Sequence, residues 1–294
     1  MPRLAIQLYT LRGRPEPIPG LIREIASHGF EGVEFDDRLL QEDPGQVRAT
    51  LDGTGLTPIG VHLDLPTIKQ RRATIIEQCT AIGCPRVVIP HLPIERFRTR
   101  QRADTLAAEL RSVAGDLADE EIRLGIHTSR ELLLPMYARS AIRPIMASEG
   151  LPRGVYNHIA WMGGLGIARD QSCLLTHTPL GQLLEETDAI EFEIDAKSAA
   201  TAGFPFGGVL ETCGNRATLV HLSDVARSRW IPPDYAPVMP GSGVIDVDTV
   251  LAASKNVEWV VVEHDDPEDP SIVLEDLSGM LDLPQSNTAR TLAT

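Results

Sequence analysis

The sequence predicts a closed (β/α)8 barrel (TIM barrel) of the α/β class, with a long insertion after strand five. Short apolar segments alternate with amphipathic helical ones along almost the whole chain, and eight strands can be counted. An open, doubly wound sheet would carry a glycine-rich phosphate loop after its first strand, whereas residues 9–12 read YTLR. Polar, mostly ionisable residues also end seven of the eight strands, where such barrels place their active sites.

The strands are predicted from short runs of apolar and β-branched residues bounded by turn residues. They cover residues 4–8, 32–35, 58–62, 87–89, 123–127, 190–194, 218–222 and 259–262. The last run, WVVV, is apolar throughout, which is typical of a parallel strand buried on both faces.

The helices are predicted from 3.6-residue periodicity and from residues that start or stop helices. They cover residues 19–28, 46–52, 67–82, 99–119, 180–186, 209–213, 248–254 and 271–281. Gly29 suits the position that follows the first helix, and Asp246 or Asp248 suits the N-cap of the seventh.

Residues 132–178 interrupt this alternation. Without them the chain has 247 residues, close to the roughly 250 of a typical barrel. We therefore expect one barrel domain over residues 1–284, with the insertion as a lid on the catalytic face or as an oligomer contact. Residues 285–294 are small and polar, and we expect a flexible tail there.

The composition narrows the class of partner. A net charge of −14 argues against nucleic acid, which requires a basic surface. No apolar run approaches the roughly 18 residues of a membrane helix, and the first residues lack a signal-peptide core. We expect a cytoplasmic protein with no membrane partner, and the four cysteines, which show no CxxC spacing, are expected to be free thiols.

The polar strand ends suggest a metal site. In chain order they are Glu34, His62, His91, His127 with Glu131 beyond, Asp195, His221 with Asp224 beyond, and Glu263. Glu131, Asp195, His221 and Glu263 follow strands five to eight, and such oxygen-rich sets suit Mn²⁺, Mg²⁺, Co²⁺ or Zn²⁺. Taken singly, Asp195 also fits a helix cap, His221 a hydrogen-bonded core histidine and Glu263 a salt-bridge partner.

Several motifs in order resemble one family. They are residues 6–12 (IQLYTLR), 29–34 (GFEGVE), 192–195 (FEID), 220–224 (VHLSD), 241–246 (GSGVID) and 262–265 (VEHD). The chain thereby resembles the xylose isomerase-like TIM barrels, the sugar phosphate isomerase/epimerase group that includes inosose dehydratase, hydroxypyruvate isomerase and D-tagatose 3-epimerase. The resemblance spans residues 3–282 apart from the insertion.

The resemblance implies metal ligands at the four positions already singled out, with Mn²⁺ as the expected ion. The chain departs from the family near strand five, where 126–131 reads IHTSRE instead of carrying a His-Asn-His before the glutamate. Ser223 replaces a lysine often found in the seventh motif, and Ala196-Lys197 replaces a Gly-Trp pair.

The expected function is a metal-dependent sugar isomerase or epimerase that works through an enediolate, with Glu131 and Glu263 as acid and base. A dehydratase or lyase on the same site is the second hypothesis. Expected substrate contacts are Tyr9, His62, His91, His127 and Arg227, the last being equally compatible with a surface charge. A small carbohydrate is the expected partner, and a homo-oligomer is open.

Two hypotheses belong to other classes. A sugar-binding barrel without catalysis fits the irregular fifth motif. An endonuclease IV-like phosphodiesterase is disfavoured, because it needs more metal-binding histidines and a basic surface than this chain offers.

Overall fold

A computed structural model describes residues 2–134, 170–228, 235–270 and 272–280. It confirms the predicted barrel: eight parallel strands close into a ring in the order β1-β10-β7-β6-β5-β4-β3-β2. These strands are β1 (Arg3–Gln7), β2 (Gly32–Phe35), β3 (Thr57–His62), β4 (Arg86–Ile89), β5 (Arg123–His127), β6 (Glu191–Asp195), β7 (Ala217–Leu222) and β10 (Trp259–Val262). The barrel closes because β1 pairs with both β10 and β2.

Helices surround the barrel and connect most of its strands. They are α1 (Ile18–Ser27), α2 (Pro44–Thr54), α3 (Leu65–Gln70), α4 (Arg72–Ile82), α5 (Arg100–Ala118), α6 (Arg130–Leu133), α7 (Gln171–His177), α8 (Pro179–Glu186), α9 (Ala196–Ala202), α10 (Phe206–Cys213), α11 (Val247–Ala253) and α12 (Val273–Met280). No helix in the described ranges has the length and apolar character needed to cross a membrane.

Three predicted details differ from the structure. The single helix expected over 67–82 is two helices, because the backbone leaves the helical region at Arg71 (φ −117°, ψ 23°) between α3 and α4. Helix α9 begins directly after β6, where the periodicity predicted no helix and only the alternative role of Asp195 as a helix cap indicated one. Beyond β7 the chain forms an antiparallel hairpin of β8 (Asp224–Arg227) and β9 (Tyr235–Val238), which the sequence pattern did not indicate.

Asp224 organises the loop that follows this hairpin. Its carboxylate accepts hydrogen bonds of 2.8–3.0 Å from the backbone N–H groups of four residues in that loop: Gly241, Gly243, Val244 and Ile245. A Cβ at Gly243 would lie 2.3 Å from the carbonyl oxygen of Val225, so only glycine allows this approach. The GSGVID motif thus builds a loop wall beside the last strands.

The barrel interior is apolar at one level and polar at the next. Ala5, Ile59, Val88, Leu219, Trp259 and Val261 form a small buried cluster inside the ring. The fully buried Gln7, Glu34, Glu193 and His221 lie among the same strands, although barrels of this class usually fill such positions with branched apolar residues. The unusual number of buried polar side chains indicates that this part of the interior belongs to a functional site.

The predicted insertion is described only at its two ends. Helix α6 and its C-cap Leu134 lie at one end, and α7 at the other; both helices bury leucine side chains against the core. Residues 135–169 fall outside the described ranges, as do 281–294, so the predicted lid and the predicted tail lie outside them and stay predictions.

Candidate active site

A cavity of about 440 Å³ opens at the carboxyl ends of the barrel strands. Its described lining consists of Tyr9, Asp36, Asp37, His62, Leu63, Asp64, Thr67, Pro90, His127, Lys197, Glu263 and Asp265. Five of these side chains are carboxylates and one is a lysine, so the described wall is markedly acidic. This is the face on which barrels of this class place their catalytic residues.

Four side chains at the base of this cavity form an outer group that could hold a metal ion. They are His127, Asp195, His221 and Glu263, and one ligand atom from each lies within 4.8 Å of the others. Each comes from a different strand end, because parallel strands bring their carboxyl ends to one face of the ring. Asp195, His221 and Glu263 are three of the four ligands predicted from the sequence.

Asp195 serves the fold and the outer group together. One carboxylate oxygen caps α9 by accepting the backbone N–H of Ser198, and the other accepts the hydroxyl of Ser223 at 2.7 Å. Burial alone would raise the pKa of Asp195, but the positive charge of Lys197, the nearby His127 imidazole and the hydrogen bond from Ser223 hold that pKa well below its usual value. Asp195 is therefore both the predicted alternative, a helix cap, and an ionised member of the group.

His221 lies at the centre of the site and is fully buried. Its Nδ1 is 3.2 Å from Glu263 Oε2, and its Nε2 is 2.9 Å from Glu34 Oε2 and 3.0 Å from Glu193 Oε1. Burial alone would lower the pKa of the imidazole, but the charges and hydrogen bonds of Glu193, Glu263 and Glu34 raise it well above its usual value. Each ring nitrogen therefore faces a different set of carboxylates.

Below the outer group lies an inner group made of Glu34, His62, Glu193 and His221. His62 Nε2 is 2.8 Å from Glu193 Oε2 and 3.2 Å from Glu34 Oε2, while Gln7 donates to Glu34 Oε2 at 2.8 Å. The His62 and His221 rings stack at a centroid distance of 5.4 Å. The two groups share His221 and so form one continuous cluster in the barrel.

Glu263 and Lys197 bring opposite charges to the cavity wall. Burial alone would raise the pKa of Glu263, but the hydrogen bond from His221 and nearby positive charges lower it to about 2, so the side chain is a carboxylate at neutral pH. Burial alone would lower the pKa of Lys197, but Asp195, Asp265 and Glu263 raise it, so the side chain stays an ammonium. Its Nζ donates to Asp265.

The structure separates the other predicted residues into two sets. Tyr9, 44% exposed, lines the cavity together with His62 and His127. Within the described residues, neither His91 nor the exposed Arg227 contributes to the cavity lining. The roles of all five residues as substrate contacts remain predictions.

Glu131 lies in the first turn of α6 and belongs to neither group as the structure places it. His127, which was predicted only as a substrate contact, takes the strand-five position in the outer group. The place of Glu131 among the ligands and acid/base residues remains a prediction.

Three residues of the site were missing from the predicted ligands and substrate contacts. Glu34 stood among the polar strand ends but was not linked to the metal set. Glu193 precedes Asp195 by two positions, and this i, i+2 spacing, which puts both side chains on one face of β6, was the available signal. For Lys197, the only indication in the sequence was its position two residues after Asp195.

The outer group fits a divalent cation. His127 Nε2 is buried and has no hydrogen-bond partner, and Asp195 Oδ2 lies 3.7 Å away, leaving the ring nitrogen available as a ligand. Two imidazoles and two carboxylates form a donor set that suits Zn²⁺, Fe²⁺ and Co²⁺, while carboxylates alone favour Mg²⁺ and Mn²⁺. The residues present can therefore hold a divalent ion.

Comparison with known proteins finds similar proteins among solved structures only. No family model and no curated protein matches the sequence. Among solved structures, a sugar phosphate isomerase/epimerase from Parabacteroides distasonis is similar with a TM-score of 0.66 and 16% identity, over 96% of this chain and 94% of that one. The probable 3-DHS dehydratase of petrobactin synthesis from Bacillus anthracis has a TM-score of 0.71 and 10% identity, over 95% and 98% of the two chains.

A third solved structure is a xylose isomerase-like TIM barrel protein from Mycobacterium smegmatis in complex with magnesium. Its TM-score is 0.60 at 12% identity, over 96% of both chains. Identities this low establish the fold alone. This chain has the fold of the xylose isomerase-like TIM barrels, as its motifs predict.

Proposed function

We propose that this protein is a divalent-metal-dependent enzyme that isomerises or epimerises a sugar or a related α-hydroxy-carbonyl compound. The observation that carries the proposal is the convergence of His127, Asp195, His221 and Glu263 at the base of an open cavity. A cavity with ionised groups, a free ring nitrogen and room for a small molecule is the general form of a metal-dependent active site.

Asp195, His221 and Glu263 would hold the ion, together with a fourth ligand from strand five or just after it. Glu131 is the fourth ligand that the resemblance implies, and His127 is the side chain that the geometry favours. When bound, the ion would polarise the substrate carbonyl and so acidify the neighbouring C–H bond. Mn²⁺ remains the ion expected from the resemblance, and the second imidazole favours Zn²⁺ or Co²⁺.

The residues of the chain supply the proton transfers and the charge. Glu263, a carboxylate at neutral pH, accepts the proton from the substrate carbon at a carboxylate oxygen. The Lys197 ammonium donates to a substrate oxygen that gains negative charge as the enediolate forms, since Asp265 uses only one of its three hydrogens. Glu131, the second acid/base that the resemblance implies, would return a proton to the enediolate, either on its opposite face or at the neighbouring carbon.

The fate of the enediolate decides the reaction. Reprotonation at the neighbouring carbon gives isomerisation, reprotonation on the opposite face gives epimerisation, and loss of hydroxide gives dehydration. The structural neighbours include proteins described as an isomerase/epimerase and as a dehydratase, which supports a sugar-modifying enzyme and keeps dehydration as the second hypothesis.

Exchange of substrate protons with solvent tests this proposal. Metal-loaded protein is incubated in D2O with a panel of ketoses, aldoses and inososes, and proton NMR follows the carbon next to the carbonyl. We expect deuterium at that carbon in wild type and a loss of at least about 100-fold in Glu263→Gln. Glu258→Gln is the matched control. Glu258 is exposed and directly precedes β10, at the end of the strand opposite to Glu263.

Two results would contradict the proposal. Saturable sugar binding without any exchange would identify a non-catalytic sugar-binding barrel. Full exchange in Glu263→Gln would show that another group takes the proton.

A further inference from the structure

The inner group places two carboxylates and two imidazoles in the closed interior of the barrel, beneath the proposed active site. We propose that Glu34, His62, Glu193 and His221 form a second divalent-cation site, so that the protein holds two ions with His221 between them. This inference goes beyond the proposed function, which needs only the outer group.

The spacing of the donor atoms is that of a metal coordination shell. His221 Nε2 lies 2.9 and 3.0 Å from oxygens of Glu34 and Glu193, and His62 Nε2 lies 3.2 and 2.8 Å from oxygens of the same two residues. Ligands that bind one ion at about 2.1 Å, with angles between roughly 90° and 110°, lie about 3.0–3.4 Å from each other. One ion can therefore sit within reach of all four side chains after small adjustments.

Hydrogen bonds from the two imidazoles cannot satisfy all the carboxylate oxygens of the inner group. Each ring nitrogen carries at most one hydrogen, yet each of these two faces two carboxylate oxygens. Glu34 Oε1 and Glu193 Oε1 are buried and have no hydrogen-bond partner, although His221 Nε2 is close to the latter. Buried acceptors without partners are rare in folded proteins, and two in one group indicate a missing ligand.

The barrel makes room for the inner group. Gly60 on β3 pairs in register with Glu34, and a Cβ at that position would lie 2.8 Å from Glu34 Oε1. A side chain there would displace the carboxylate, so Gly60 maintains the space it occupies. Burying carboxylates in a barrel interior is costly unless a cation compensates them.

An ion can reach the inner site through the cavity, and His221 can serve both sites. His62 lines the cavity with a side chain that is 11% exposed, while the side chains of Glu34 and Glu193 behind it are buried from solvent. Nδ1 of His221 faces the outer group and Nε2 faces the inner one. With both ions bound, both ring nitrogens are ligands and the ring protons are released to solvent.

Metal stoichiometry in matched variants tests the second site. Chelator-stripped protein is reloaded with Zn²⁺ or Co²⁺ and desalted, and the bound metal is counted by inductively coupled plasma mass spectrometry. We expect two ions per chain in wild type, one in Glu193→Gln, one in Asp195→Asn and none in the double variant. Glu191→Gln, a partly exposed position on the same strand that pairs with Arg123, should keep two.

The outcomes separate this inference from the proposed function. One ion that disappears in Asp195→Asn but persists in Glu193→Gln would reduce the inner group to an ion-pair network and leave the proposed active site intact. One ion that disappears only in Glu193→Gln would instead contradict the outer centre. No bound metal in wild type would overturn both.

A second measurement does not depend on the folding of a variant. Anomalous diffraction from crystals of wild-type protein soaked in Zn²⁺ should show two peaks, one on each side of the His221 ring. A single peak beside Asp195 would overturn the inner site.

Discussion

At the scale of single residues, the site combines groups that a sequence can reveal with groups that it conceals. Asp195, His221 and Glu263 could be grouped in advance, because each ends a strand and parallel strands end at one face. Glu193 and Lys197 could not, since their importance comes from partners far along the chain, such as His62 and Asp265. Local sequence patterns predict where strands end and which residues end them. They do not predict which side chains from distant parts of the chain will be in contact.

His62 should make the stability of the metal-free protein depend on pH. Burial alone would lower its pKa, but Glu34 and Glu193 raise it from 6.5 to about 10, so the folded state binds the proton more tightly than the unfolded state does. The resulting stabilisation is complete below pH 6.5 and is lost as pH rises toward 10. We expect wild type in chelator to lose on the order of 3 kcal/mol between pH 6.5 and 9 from this group.

Urea unfolding of wild type and His62→Gln at several pH values measures this effect. The variant should lose much less stability over that interval. His28→Gln, at the end of α1, should behave as wild type. An identical pH dependence in wild type and His62→Gln would contradict the prediction.

Lys197 should affect turnover much more than metal binding. Its ammonium faces the cavity but belongs to neither metal group, so Lys197→Met should lower kcat by about 100-fold or more while leaving metal content unchanged. Lys69→Met, which removes an exposed surface lysine, is the control. The raised pKa of Lys197 also predicts that borohydride will not trap the substrate on it; such trapping would indicate Schiff-base chemistry instead.

At the scale of secondary-structure elements, the strands were predicted better than the helices between them. Strands β2, β5 and β10 were placed at their observed bounds and the other five within one residue at each end, because apolar, β-branched runs have few alternatives in a buried sheet. The break at Arg71 and the helix α9 depend on weaker local signals. No proline or glycine marks the break within residues 67–82, and α9 is alanine-rich with only its cap as a marker.

The dual role of Asp195 can be separated by two substitutions. Asparagine is as good an N-cap as aspartate, so Asp195→Asn should preserve α9 while weakening metal binding, whereas Asp195→Ala should lose both. In chelator, the alanine variant should be about 1 kcal/mol less stable than the asparagine variant. Asp246→Ala, which removes the cap of α11, should cost stability without loss of metal. Equal stability of the two Asp195 variants would show that the cap contributes little.

At the scale of the whole molecule, charge should select the substrate. The net charge is −14, and in the described cavity wall Asp37 and Asp64 are exposed carboxylates while Asp36 is paired with Arg38. Arg227, predicted as a substrate contact, is not part of that wall. A cavity wall in which one sign of charge predominates repels ligands of that sign, and salt screens the repulsion over about 10 Å at 0.1 M.

We therefore expect uncharged sugars to be preferred over their phosphates. The ratio of kcat/KM values, measured for a matched sugar and sugar phosphate at low salt, should favour the uncharged compound by about 10-fold or more. This ratio should shrink in 0.5 M NaCl and in the variant Asp37→Asn/Asp64→Asn. The exposed pair Asp119→Asn/Asp248→Asn, placed outside the cavity, should leave the ratio unchanged. A preference for the phosphate at low salt would mean that cationic groups beyond the described wall bind it, because the acidic wall alone can only oppose a dianion.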